Sequence, residues 1–253
     1  MLRPALAALA ALVPLDAFAQ EAGGNLLAFT LRGGVEARPG YFGSDEVAVA
    51  PDLAFDLGAV RLGRLAFGDP DFDALERGFG LRGSFRYLPE RSVDDDDELA
   101  GLEGVEAAIE IGAGVRYVES WWGAFADVRY GVTGHDSLVA DIGMDLIARP
   151  TDRLTLRAGP RVFVGSDDYA ATYFGVTEAE EGPSAFPAYE AEGGVLSGGV
   201  EVGAEYRLGG AWGIEAGVRY DRLRNDAARS PISEEDDQVS GFVGVTRRFA
   251  FEF

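Results

Sequence analysis

The chain contains no cysteine, no lysine and a single histidine, His135. Without cysteine there is neither a disulfide framework nor a thiolate metal site. With lysine missing as well, no thiol or amine nucleophile is available. Positive charge is scarce. Against 43 acidic residues stand 22 basic ones, all arginine, and the formal charge is −21. Such a balance repels phosphate and excludes a nucleic-acid partner. Long hydrophobic runs are missing too: no stretch reaches the roughly 18 apolar residues that would read as a membrane-spanning helix. No glycine loop is placed to cradle a phosphate. Gly112-Ala113-Gly114 falls in the middle of a strand pattern. No cofactor and no metal are expected.

The first nineteen residues read as a secretory signal. Arg3 supplies a short positive start, residues 5–15 an apolar run, and Ala17-Phe18-Ala19 a small-x-small cleavage pattern before Gln20. The expected mature unit is therefore one domain, residues 20–253. Removing Arg3 and Asp16 takes one charge of each sign, so its charge stays at −21.

From residue 25 onward the apolar pattern has period two. In residues 105–118, Val105, Ala107, Ile109, Ile111, Ala113, Val115 and Tyr117 share a face. Glu106, Glu110, Gly112, Gly114 and Arg116 lie on the other. In residues 212–221, Trp212, Ile214, Ala216, Val218 and Tyr220 alternate with Gly213, Glu215, Gly217, Arg219 and Asp221. Similar strands are read at 27–38, 47–57, 79–87, 122–133, 138–149, 154–164, 199–208 and 239–253. Residues 59–67 are ambiguous in phase. Most of these strands exceed the usual length of about 5–6 residues and match the roughly 9–11 that a tilted strand needs to cross a bilayer. One apolar face and one polar, glycine-rich face over that length is the signature of a transmembrane barrel. A closed sheet pairs every backbone group and leaves no edge in lipid. The expectation is an all-β, antiparallel transmembrane β-barrel of about 10–12 strands, an even number being required. The first third of the chain does not settle that parity. In the last strand Val239, Val243, Val245, Phe249, Phe251 and Phe253 share a face, and the sequence closes on phenylalanine. Such an ending resembles the signal read by the barrel assembly machinery of the outer membrane. Phe249, Phe251 and Phe253 are therefore the expected assembly signal.

Turned inward, the polar face carries Arg32, Arg38, Arg82, Arg86, Arg116, Arg129, Arg149, Arg157, Arg161, Arg207, Arg219 and Arg248. Against them stand Glu36, Asp52, Asp56, Glu106, Glu110, Asp127, Asp141, Asp145, Glu201, Glu205, Glu215, Asp221 and Glu252. Signs balance almost one for one. Desolvation forbids leaving such charges dry and unpaired, so the lumen should be crossed by Arg–carboxylate pairs that fill it. The excess negative charge then belongs to loops, in clusters at Asp69/Asp71/Asp73/Glu76, Asp94–Glu98, Glu178/Glu180/Glu181 and Glu234–Asp237. Their spacing matches no EF-hand loop, and charge runs of this kind are ordinarily solvated.

His135, in Gly134-His135-Asp136-Ser137, is the one residue that could serve a Ser/His hydrolase. That chemistry needs a base oriented by a carboxylate and in reach of a nucleophile. Asp136, its neighbour, would point away in an extended chain. A turn histidine is the expectation, and no catalytic residue is assigned.

Several segments resemble the MltA-interacting protein (MipA)/OmpV family of outer-membrane proteins. Arg38-Pro39-Gly40-Tyr41-Phe42-Gly43-Ser44-Asp45 is similar to its Pro-x-Tyr-x-Gly-Ser-Asp segment. The run from Tyr169 through Tyr173-Phe174-Gly175-Val176-Thr177 looks like its Tyr-Phe-Gly-Val-Thr loop. Leu223, Asp226-Ala227 and Ser230-Pro231-Ile232 follow. The chain ends Phe251-Glu252-Phe253 where a Tyr-x-Phe ending is more typical, and the acidic run at 94–98 is a local departure. The resemblance implies an outer-membrane barrel without family catalytic residues. It also implies a scaffold that joins a lytic transglycosylase to a penicillin-binding protein in peptidoglycan synthesis. Other members are linked to antibiotic uptake, osmotic response and adhesion. Expected surroundings are outer-membrane lipid and lipopolysaccharide. The charged lumen keeps a second reading open, a narrow porin-like channel for small polar or cationic solutes.

Overall fold

The computed structural model describes residues 24–68, 77–93 and 97–253. The expected signal segment and the acidic stretches at 69–76 and 94–96 lie outside the described residues. The described chain forms eleven antiparallel strands: β1 (Leu26–Pro39), β2 (Val47–Leu62), β3 (Leu65–Gly68), β4 (Gly78–Leu88), β5 (Ala108–Val118), β6 (Trp122–Gly131), β7 (Leu138–Thr151), β8 (Leu154–Gly165), β9 (Gly194–Gly209), β10 (Trp212–Leu223) and β11 (Asp237–Glu252). Hydrogen-bonded neighbours run β3-β2-β1-β11-β10-β9-β8-β7-β6-β5-β4. The first long strand pairs with the last, Leu26 opposite Glu252. Asn25 and Phe253 exchange both backbone hydrogen bonds at 3.0 Å. The sheet curls until β2 and β4 face each other, with Phe55 and Leu57 packed over Gly83. The result is a nearly closed barrel of ten long strands.

The short β3 explains the parity left open by the sequence. Leu62 and Leu65 pair across a two-residue turn in which Gly63 takes a φ of +59°, a conformation that glycine adopts without steric cost. Residues 59–67 are therefore the end of one strand and the start of another running back. A reversal inside the window destroys any single phase. Other boundaries also shift. Val105 pairs only with Arg91 in an isolated bridge, and β5 starts at Ala108. Glu106 consequently sits exposed before the strand, not in the lumen. β9 starts at Gly194, five residues before the expected boundary at 199.

Alternation decides the two faces. Val35, Leu53, Ile111, Val115, Ile142, Val200, Val202, Val218 and Val243 all project outward and are exposed. An apolar surface this continuous belongs against lipid. Aromatic residues concentrate near the end that holds the chain terminus: Phe79, Trp121, Tyr206, Trp212, Phe251 and Phe253 are all exposed there. That is the placement of an interfacial aromatic belt. At this terminal end β2 and β3, β5 and β6, β7 and β8, and β9 and β10 join by tight turns. At the opposite end, the loop end, the connections β1–β2, β4–β5, β8–β9 and β10–β11 are long and carry three α-helices, α1 (Asp167–Phe174), α2 (Glu178–Glu181) and α3 (Asn225–Arg229), and a short 3-10 turn at Asp97–Leu99.

One interruption in the wall has a visible repair. Between β7 and β8 the pairing steps from Gly143–Arg161 to Leu146–Ala158, skipping Met144 and Asp145 on one strand and Gly159 and Pro160 on the other. Pro160 has no N–H to give a facing carbonyl. Arg161 reaches across and donates from Nη1 to the carbonyl oxygens of Met144 (3.2 Å) and Pro160 (3.0 Å).

Candidate functional site

The loop end is capped. Tyr41 and Phe42 from the β1–β2 loop meet Tyr169, Tyr173 and Phe174 of α1. The Phe42 ring lies 5.3 Å from Tyr173, edge-on, and 5.8 Å from Phe174. Tyr41, Tyr169, Tyr173, Phe174 and Val176 are all buried. The third segment locks them. Ser230 donates its hydroxyl to the Phe174 carbonyl at 2.6 Å, and Ile232 below it is fully buried. Gly43 donates its N–H to Gln238 Oε1 at 3.0 Å and accepts from the N–H groups of Glu234 and Glu235. Its φ is +94°, and a Cβ there would sit 2.6 Å from Ser233 Cα. Glycine is obligatory at that point. Ser44 is buried beside it, whereas Asp45 faces solvent and Pro231 is half-buried. Gly175 closes α1 by donating to the Ala171 carbonyl, and Thr177 opens α2. The segments read as sequence markers are thus one packed unit across the barrel mouth, with Asp45 and Thr177 on its rim.

Acidic side chains ring this cap and serve partly as fasteners. Glu180 accepts from the N–H groups of Glu103 and Thr177, each at 2.8 Å, which ties the β4–β5 loop to α2. Partial burial opposes its ionisation, but these hydrogen bonds prevail and hold the carboxyl below its usual range. Burial together with the charges of Asp45, Glu98 and Glu46 pushes Glu234 upward. Among the described residues no group of three His, Asp or Glu side chains is arranged to hold a metal ion.

Beneath the cap the lumen is filled with ion pairs. Arg129 lies at the centre. It donates from Nε to Glu110 at 2.8 Å, from Nη1 to Ser84 Oγ at 3.1 Å, and from Nη2 to Asp141. Arg82 stands 3.3 Å from Asp127. Arg161 pairs with Asp145 at 2.7 Å and Glu201 at 3.3 Å, and Arg32 with Asp52 and Glu215 at 2.6 and 2.9 Å. Exposure grades along the axis. Side chains of Glu110, Arg129 and Arg161 are 0%, 4% and 6% exposed, while Arg157 and Glu205 near the terminal end are at 42% and 26%. The lumen is therefore tight under the cap and opens toward the terminal end.

His135 belongs to this tight zone. The sequence places it on a turn, with Asp136 as the neighbouring carboxylate. The loop does carry it, but the ring is fully buried, with Nε2 3.3 Å from Glu110. Tyr169 and Tyr173 stand edge-on to it at 5.0 and 5.7 Å. Nδ1 accepts from the Ser137 N–H at 3.2 Å, and the Ser137 hydroxyl donates to the His135 carbonyl. The serine oxygen thus makes no hydrogen bond to the ring, and the carboxylate partner is Glu110 on β5. A serine whose hydroxyl is spent on a carbonyl, with no base on its proton, is not an activated nucleophile. The nearest signal for Glu110 in the sequence was its place on the polar face of a strand; nothing there linked it to His135.

A family model for MltA-interacting protein MipA matches residues 31–249. The chain belongs to the MipA family. The match runs from the middle of β1 to Phe249 in β11, so it takes in the cap, the lumen cluster and nearly the whole wall of this MipA-family barrel. Solved structures with a similar course include the translocator domain of autotransporter NalP from Neisseria meningitidis, 15% identical over 92% of this chain and 91% of that one at a TM-score of 0.38. The toluene transporter TbuX from Ralstonia pickettii is 12% identical over 92% and 90%, at 0.32. OprG from Pseudomonas aeruginosa is 11% identical over 90% and 98%, at 0.26. No curated protein sequence matches the chain. In the MipA-family chain the aromatic ending lies on β11. Phe249 stacks on Phe29 at 5.2 Å, and Phe251 and Phe253 face outward.

Proposed function

We propose that this MipA-family chain is a non-enzymatic outer-membrane barrel whose lumen is a filled support, and that it acts as a scaffold for peptidoglycan-remodelling enzymes. The observation that carries the reading is the dry ion-pair cluster Glu110–Arg129–Asp141 directly beneath a packed cap. Desolvated, paired charges joined to a hydrophobic lid make a rigid plug, and a plug is of no use to a channel that must wet and conduct. In an outer-membrane barrel the tight turns face the periplasm and the long loops face outward. Among the described residues the periplasmic surface then consists of short turns such as Ser120-Trp121 and Gly209-Gly210. An enzyme gripping only those would bury less than about 1,200 Å², which is a transient contact. Transient contact suits a scaffold that hands enzymes to their substrate.

Outer-membrane lipid and lipopolysaccharide are the surroundings of the barrel wall and the cap in this reading. The barrel assembly machinery reads Phe249, Phe251 and Phe253. Crosslinking in intact envelopes, followed by purification of the barrel in detergent, tests the scaffold. Recovery of a lytic transglycosylase or a penicillin-binding protein above a control barrel of equal abundance supports it. Recovery of neither removes it. A second reading, a narrow channel for small polar or cationic solutes, is favoured by the wetter half of the lumen around Arg157 and Glu205. Conductance steps in planar bilayers that vanish on plugging from the terminal side would establish it.

A further inference from the structure

The terminal half of the lumen carries arginines that its carboxylates leave partly unmatched. Register places two of them side by side. Ile147 on β7 faces Arg157 on β8, and Arg149 follows two residues on along the same face. Across the next ladder Thr155 faces Glu205 on β9, two residues from Arg157. Arg157 is thus the diagonal neighbour of both Arg149 and Glu205, a separation that long side chains span. The contacts agree. Glu205 takes Arg157 on Oε2 at 3.5 Å and Arg248 on Oε1 at 3.2 Å, so one carboxylate serves two guanidinium groups. Arg149 is exposed. Its Nη1 donates to the Ser120 carbonyl at 2.9 Å, and among the described residues it makes no close ion pair. The charges that act on it most are those of Arg157 and Arg77, both of its own sign, and that of Glu205. Glu215, which faces Glu205 from β10, is already engaged by Arg32 at 2.9 Å.

A guanidinium carries five N–H donors. Arg149 spends one on Ser120, and Arg157 spends one, at long range, on Glu205. Like charges held this close repel, and an anion between them removes the repulsion. We propose that the vestibule at the terminal end of the lumen binds a small soluble oxyanion, bridged by the guanidinium groups of Arg149 and Arg157. Carboxylate and phosphate groups match the planar fork of arginine in both charge and geometry. A cation meets repulsion from both arginines, and the carboxylate beside them is already shared. Farther in, the nearly dry pair of Glu110 and Arg129 closes the lumen. The ligand therefore enters and leaves by the terminal end, the periplasmic side of an outer-membrane barrel. The site needs no scaffolded enzyme, and binding in detergent is independent of orientation, so the site and the scaffold reading stand or fall separately.

The test titrates the full chain in detergent with sodium phosphate and, separately, with sodium succinate. Ionic strength is held constant with sodium chloride, and binding is followed by calorimetry. Saturable uptake of one ion per chain is expected. Saturation by phosphate alone identifies a phosphate site, saturation by succinate alone a carboxylate site, and saturation by both a site for either group. Saturation by neither ion overturns the proposal. Each guanidinium contributes charge-assisted hydrogen bonds, so Arg149→Gln and Arg157→Gln should each weaken binding at least about tenfold. Glu205→Gln keeps both arginines and removes the carboxylate that competes with the ligand. It should bind the anion more tightly, an effect that structural damage does not produce. The folded band on gels identifies variants that have assembled. Unchanged affinity in a folded Arg149→Gln/Arg157→Gln chain overturns the site, and so does a folded Glu205→Gln chain that binds no more tightly than the unaltered one.

Discussion

Replacing Arg129 by leucine is the sharpest probe of the lumen. Among the described residues Arg129 alone forms close ion pairs with both Glu110 and Asp141, and its own side chain is 4% exposed. Leucine leaves the Glu110 carboxylate completely buried, with His135 as its remaining close partner and the charge of Arg86 farther off. Asp141 keeps Arg219 at 3.8 Å and 15% exposure, so its share of the loss is smaller. Breaking a buried pair from one side costs about 3–5 kcal/mol. With a denaturant slope of about 2 kcal/mol per molar urea, the unfolding midpoint moves down by about 2 M. Adding Glu110→Gln removes the orphaned charge, and the double variant regains about 1–3 kcal/mol relative to Arg129→Leu alone. The assay is urea unfolding in lipid vesicles, read by tryptophan fluorescence and by the band shift of folded against unfolded barrel on gels. A midpoint shift under about 0.5 M for Arg129→Leu would refute the reasoning, as would a double variant less stable than that single one.

Other outcomes follow from the same geometry. Gly131→Ala puts a Cβ 2.4 Å from His135 Cε1 and should cost about 1–3 kcal/mol through overpacking, seen as a lowered midpoint in the same urea assay. Gly43→Ala combines a positive φ with a clash at Ser233; faster nicking of the β1–β2 loop by protease is expected, with the barrel band on gels unchanged. Glu180 is held below its usual carboxylate range, so its fastening of Glu103 to α2 is complete above the unfolded value of 4.5 and is lost only as pH falls through the lower folded value. An acid-active protease should therefore begin to cut the β4–β5 loop below pH 4.5, and a protease active at neutral pH should cut Glu180→Gln there faster than the unaltered chain. Deleting Phe253 removes the partner of Asn25 and should lower the amount of assembled barrel in the outer membrane, measured by the folded band on gels.

Much of the wall was legible along the chain. Period-two alternation in segments such as 138–149 and 212–221 depends only on the pleat of a strand, and both segments lie within β7 and β10. Near-equality of inward arginines and carboxylates could likewise be read off, because desolvation demands pairing wherever the partners come from. Segments at 38–45, 169–177 and 230–232 were visible as markers through resemblance, but not as neighbours. Residues 59–67 resisted because a two-residue reversal at Gly63 splits the window.

What the sequence by itself determined is the barrel and its two faces, since alternation, strand length and the aromatic ending are properties of consecutive residues. Only the tertiary structure decided which charges meet. Glu110, Arg129 and Asp141 come from β5, β6 and β7, and His135 from the loop between the last two, so their meeting depends on register and on inward tilt. The same holds for the cap, where Phe42 reaches α1 across well over a hundred residues of chain. One-dimensional order carries periodicity; it carries no information about which of many balanced charges, or which loops, the curvature of a closed sheet brings within a few ångströms of each other.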